Sequence, residues 1–121
     1  MQEQINTICT QFESTARLIG MQLNPKTSTA ADIEEILSRV AAAQTDKPLD
    51  GVIFMSGIYL GEMLRLRLGG EWIMPPPTEQ LALQLKSQRY SPFEITARFL
   101  YKPTPETLVQ WFETVIAQHA S

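Results

Sequence analysis

The residue types best able to do chemistry crowd into one stretch, GIYLGEMLRLRLGGEW, from Gly57 to Trp72. It holds a carboxylate at Glu62, guanidinium groups at Arg65 and Arg67, a phenol at Tyr59 and an indole at Trp72. A carboxyl, a phenol and a guanidinium together could supply a general acid and an anion clamp, or hold a ligand carboxylate on Arg65. The spacing restrains that reading. Glu62 and Arg65 are three apart with the acid N-terminal, which is ion-pair geometry on a helix. An arginine beside a carboxyl lowers its pKa, whereas a proton donor near neutral pH needs it raised. The couple is therefore a structural pair at the edge of the core or a ligand site, and an enzyme working through Glu62, Tyr59 and Arg65 is the least supported reading. Arg67 projects from a different helix face and is expected to be solvated or turned to a partner. Trp72 is expected to fold back over the helix end, its indole N–H meeting a carbonyl or a water.

Other reactive side chains are few. The single histidine, His119, falls in the last turn of the last expected helix, where a helix-end charge is its natural role. The single cysteine, Cys9, falls on an apolar helix face and reads as a small buried hydrophobe. One His and one Cys argue against zinc and iron–sulfur sites of the common kinds, and no phosphate or dinucleotide loop motif occurs. Glu34-Glu35 and Asp46 with Asp50 could be drawn as a divalent-ion site, but helix starts and turns account for them better. No cofactor and no metal is expected.

These groups must be positioned by a mostly helical frame. Ile5, Ile8, Cys9, Phe12, Ala16 and Ile19 keep one apolar face, giving a helix from about Gln2 to Met21 that Gly20 and Asn24-Pro25 end. A second helix runs from about Ala30 to Ala43, with Thr29 and Asp32 in a capping-box arrangement. TDKPLD breaks the chain, and Asp50 is placed to cap a third helix, Gly51 to Leu68, apolar around most of its circumference and so expected at the centre of the domain. Within it, Gly57 and Gly61 stack on one face. Glycine there costs roughly 0.8–1 kcal/mol each relative to alanine, so that face must admit either a closely packed neighbour or a ligand. Gly69-Gly70 supplies the left-handed stop. EWIM and LALQL read as two strands of a hairpin joined by the proline loop, with Lys86, Gln88 and Arg89 near its open end. Ser91-Pro92-Phe93-Glu94 is a helix-start signal, although Phe93, Ile95, Ala97, Phe99 and Tyr101 alternate as a strand would. Thr104-Pro105-Glu106 starts a last helix to about Gln118.

The fold class that follows is α+β: a mostly helical single domain over residues 1–121, with a central buried helix and a β-hairpin and two C-terminal helices packed on it. The sequence MQEQINTICTQFEST lacks a basic and then apolar leader, and no apolar run is long enough to span a bilayer, so a reducing cytoplasm is the expected compartment. Net charge is −3; residues 1–64 carry four basic and eight acidic groups, and residues 65–102 six basic and three acidic. That basic excess is too small to suggest nucleic acid.

The pattern G-x-Y-L-G-E, then arginine, then G-G-x-W, at Gly57, Tyr59, Leu60, Gly61, Glu62, Arg65, Gly69, Gly70 and Trp72, resembles a signature of small uncharacterised bacterial proteins, domains of unknown function. The resemblance covers roughly residues 51–102 and implies a bacterial, cytoplasmic domain with a helix–hairpin–helix core; it carries no activity. The leading functional expectation is a non-enzymatic interaction protein, an adaptor or an immunity-type binding partner, acting on another protein or on a second copy through an edge strand. Arg67, Lys86, Arg89, Arg98, Tyr90 and the triple-proline loop would face the partner. The alternative is a small-molecule or peptide-binding domain with a pocket between the central helix and the hairpin, lined by Tyr59 and Trp72, with Arg65 holding an anion. The candidate ligand or partner residues are thus Tyr59, Glu62, Arg65, Arg67, Trp72 and Arg89.

Overall fold

A computed structural model describes residues 1–43, 49–77, 80–101 and 108–119. Its elements, in chain order, are α1 (Gln2–Leu18), α2 (Ala30–Ala43), α3 (Asp50–Leu68), β1 (Glu71–Ile73), β2 (Ala82–Leu85), β3 (Gln88–Tyr90), α4 (Pro92–Tyr101) and α5 (Leu108–His119). This is the mostly helical α+β architecture the patterning predicts. The turn and divalent-site candidate Asp46 and the helix-start residues Thr104, Pro105 and Glu106 lie outside the described residues.

Helix α3 is the axis. Every residue from Ser56 to Leu64 is buried, because α4, α1, α2, α5 and strand β2 all pack against it. A helix apolar around most of its circumference is stable only where neighbouring elements cover it on several sides. Its amphipathic neighbours turn their apolar stripes inward: Ile5, Cys9, Phe12 and Ala16 from α1, Ile33, Ile36, Leu37 and Val40 from α2, and Leu108, Phe112 and Val115 from α5. Gly69, at φ 78° and ψ 44°, ends α3, its N–H donating to the Arg65 carbonyl at 2.8 Å. The start differs from expectation. Leu49 occupies the N-cap position and Asp50 lies inside the first turn, where its charge favours the helix dipole without a capping hydrogen bond. At α2, the Asp32 carboxylate accepts the Thr29 N–H at 2.9 Å, half of a capping box. The sequence 92–101 is helix, led by a Glu94 N–H to Ser91 carbonyl bond of 3.1 Å.

The paired glycines are packing devices. A Cβ on Gly57 would stand 2.4 Å from Phe93 Cδ1 and 3.1 Å from Phe93 Cα; one on Gly61 would stand 2.3 Å from Trp72 Cη2 and 3.1 Å from Pro92 Cγ. Absent side chains let α4 and the indole lie directly on the α3 backbone.

The sheet has one strand more than the expected hairpin. Its order is β1-β2-β3, antiparallel throughout, with Trp72 opposite Leu83 and Leu83 opposite Tyr90. Residues read as the open end of a hairpin, Gln88 and Arg89, are in fact in β3. The β2–β3 connection is the two-residue turn Lys86-Ser87, with Lys86 at φ 56°. A hairpin turn needs positive φ, for which glycine or asparagine is the usual signal, and a lysine in that position conceals the turn in the sequence.

Overpacking at a buried site costs about 1–3 kcal/mol, more than alanine regains over glycine in helix propensity, about 1 kcal/mol at most. Gly61→Ala should therefore lower the midpoint of chemical unfolding. Gly51→Ala, in the same helix with nothing within 4 Å of the added carbon, should be neutral or slightly stabilising. Denaturant titration of both variants checks the contrast.

Candidate functional site

The signature residues converge on one buried carboxylate. Glu62, 4 % exposed, is carried by the most enclosed turn of α3. Arg65, one turn on, donates from Nε to Oε1 and from Nη2 to Oε2 at 3.1 Å. Trp72, brought back by the Gly69 stop and fixed in β1, lays its ring over Gly61 and donates from Nε1 to Glu62 Oε1 at 3.0 Å. The partner of the indole is thus neither a carbonyl nor a water but the carboxylate. Gln2, from the first turn of α1, donates to Oε2 at 3.2 Å. Four donated hydrogen bonds from three elements satisfy both oxygens.

The electrostatics follow. Burial by itself raises the Glu62 pKa, but the hydrogen bonds from Arg65 and Trp72, the Arg65 charge and the Gln2 bond together outweigh it and hold the carboxyl below its usual value. Arg65 shifts upward in turn, chiefly through its hydrogen bonds to Glu62. A carboxylate so held is neither a general acid nor a free ligand for a cation. Cys9, also buried, has its thiol pushed up to about 12, by burial first and by the nearby Glu62 and Glu13 charges second, which makes it a poor nucleophile at neutral pH. Tyr59 is fully enclosed; its hydroxyl donates to Glu13 Oε2 at 2.8 Å and its ring lies 5.3 Å from that of Phe12. Burial, then the Glu13 hydrogen bond, raises its pKa.

The structure thus brings Glu62, Arg65 and Trp72 together and leaves Tyr59 in a separate α1–α3 tie. Arg89 is exposed on β3. Arg67 is exposed, as expected, but it is not free: its Nη1 donates to the carbonyls of Pro25 and Met63, and its Nη2 to those of Lys26 and Ser28, the last at 2.7 Å. Its guanidinium carbon stands 5.3 Å from the centre of the Phe112 ring. It thereby staples the α1–α2 loop to α3. The surface expected to hold a ligand between α3 and the sheet is filled by Trp72, Pro92 and Phe93. Among the described residues, no His, Cys, Asp or Glu set of three or more is gathered for a metal, and no helix is long and apolar enough to cross a membrane.

Several partners were not singled out by sequence reasoning. Gln2, exposed, lies three residues before Ile5, on the helix side that continues into the buried α1 stripe. Glu34 reaches across from α2 to accept the Val109 N–H at the start of α5, at 3.2 Å, so it serves another helix as well as its own; no local pattern announces that. Comparison with known proteins gives no match: no family model, no curated protein and no solved structure resembles the chain significantly.

A group whose folded pKa is depressed contributes stability above its unfolded value, about 4.3 for Glu, and loses it as pH falls through the folded value. Glu62→Gln keeps an acceptor for the indole and removes the charge. Its stability deficit relative to the parent should be largest near pH 7 and shrink progressively below about pH 4. Urea titrations at pH 7, 4 and 3 (conditions chosen around that Glu value) measure it; a deficit constant with pH would contradict the assignment.

Proposed function

We propose that this chain is a non-enzymatic bacterial interaction protein, an adaptor or an immunity-type binding partner, working in the cytoplasm. One observation carries the reading. A groove of about 500 Å³ lies between the first turns of α1, the start of α3 and the proline-loop end of the β1–β2 hairpin. Met1, Ile8, Phe54, Met74 and Leu81 line it, with no charged side chain among its walls. Three of them are large and open to solvent: Met1 at 51 %, Met74 at 50 % and Phe54 at 44 % exposed. Clustered exposed apolar side chains mark recognition surfaces, and methionine adapts to irregular partners. The Phe54 ring stacks on Phe93, centroids 5.5 Å apart and planes 6° from parallel, so it is held ready as an anchor.

The polar signature residues support the same reading by what they do instead of chemistry: each has its hydrogen bonds inside the fold. The groove adjoins β1, an outer strand of the sheet, so a second copy of the chain is one form the partner could take.

Phe54→Asp should leave the melting temperature within a few degrees, because the ring is nearly half exposed, yet weaken partner binding at least tenfold, the loss of roughly 1.4 kcal/mol or more expected of an anchor. Affinity capture from the source cells, followed by calorimetric titration of the recovered protein against both forms, measures this. Light scattering across a concentration series does so for self-association. Equal affinity of the variant in both assays would refute the reading.

A further inference from the structure

A second hollow shares no wall with that groove. It lies between the first turn of α2 and one face of α5, also with a volume of about 500 Å³, within the 300–1,000 Å³ range of small-molecule sites. Val109, Phe112 and Ile116, spaced three and four apart on α5, form one apolar wall, and Ala30 and Ala31 form another. Glu113 and Ala117 also line it and are exposed.

The single cation in this lining is Arg67. Its four hydrogen bonds, two from each terminal nitrogen, all go to neutral carbonyl oxygens. Of the five guanidinium donors, the Nε–H has no acceptor among the described residues. The ion pairs formed there are Arg39–Glu35 and Arg65–Glu62, so no described carboxylate neutralises Arg67. Its position is nonetheless fixed, by the loop carbonyls on one side and the Phe112 ring on the other. A held positive charge that no described carboxylate pairs with, beside an apolar wall, is complementary to a molecule with one negative end and a hydrocarbon body.

We propose that this hollow binds a small monocarboxylate, its carboxylate at Arg67 and its apolar body, the size of an octyl chain or a phenylalkyl group, against Val109, Phe112 and Ile116. Glu113, exposed on the rim, opposes the anion and keeps the affinity moderate. The inference stands apart from the interaction reading, since Phe54→Asp touches none of these walls.

The test is calorimetric titration with octanoate and, as the matched uncharged probe, octanol, accompanied by amide chemical-shift mapping. Octanoate should bind saturably, at least tenfold tighter than octanol, with the largest shifts at Ala31, Val109, Phe112 and Ile116. Ala117→Trp, at an exposed position, should fill the hollow and abolish binding while the fold, followed by circular dichroism, persists. Glu113→Lys should tighten octanoate about two- to five-fold, the range of a solvent-exposed charge pair, and leave octanol unchanged. No saturable octanoate binding at millimolar concentration, equal affinity for the two probes, shifts elsewhere, or indifference to Ala117→Trp and Glu113→Lys would each overturn the proposal.

Discussion

An indole can rest directly on a helix backbone only where the helix presents no side chain, and its N–H can be buried only where an acceptor waits. Gly61 and Glu62 meet both conditions in consecutive residues. Glycine opens the helix surface to the Trp72 ring, and the next side chain takes the indole proton. That acceptor is a charge inside the core, which would be unfavourable alone. Arg65 one turn later and Gln2 from α1 make it tolerable. The order of residues in the signature is thus the order of physical requirements: space, acceptor, counter-charge, helix stop, ring.

The same node sets the arrangement of the elements. Because Trp72 sits in β1, its bond to Glu62 fixes the sheet against the end of α3, and Leu83 and Leu85 of β2 come inward with it. Because Gln2 reaches the same carboxylate, α1 is held at its first turn, while the Tyr59–Glu13 bond holds it further along. On the other side Arg67 gathers the loop before α2, and Glu34 of α2 anchors the first turn of α5. Polar contacts here work as registration pins in a core whose bulk stabilisation is apolar.

The helices were legible because their apolar spacing is a local property, and the glycine pair pointed to a close approach before its partners were known. The α4 stretch, with two periodicities competing, was decided by its Ser-Pro start. What escaped was set by tertiary context. The Lys86-Ser87 turn lacks the glycine that would betray a third strand. Arg67, charged and near a helix end, is exposed as expected, but its tie to loop carbonyls 39 to 42 residues away has no local signal. Phe54 belongs to the apolar run of α3, yet near the helix start only Phe93 of α4 stacks on it, and the ring is left half open. Of the candidate site, the Glu62–Arg65 pair was visible from spacing; that the indole would complete it was not, since the nine intervening residues had to reverse direction first.

One consequence concerns the ring that remains outside. Phe54 stacks on Phe93, and Phe93 is seated on the bare backbone at Gly57. The rotational freedom of the outward ring is therefore surrendered during folding, and little of it is left to lose when anything meets that surface. A methyl group added at Gly57, shielded from every outside molecule, would displace Phe93 and return that freedom to Phe54. The hidden backbone position and the visible surface are one mechanical unit.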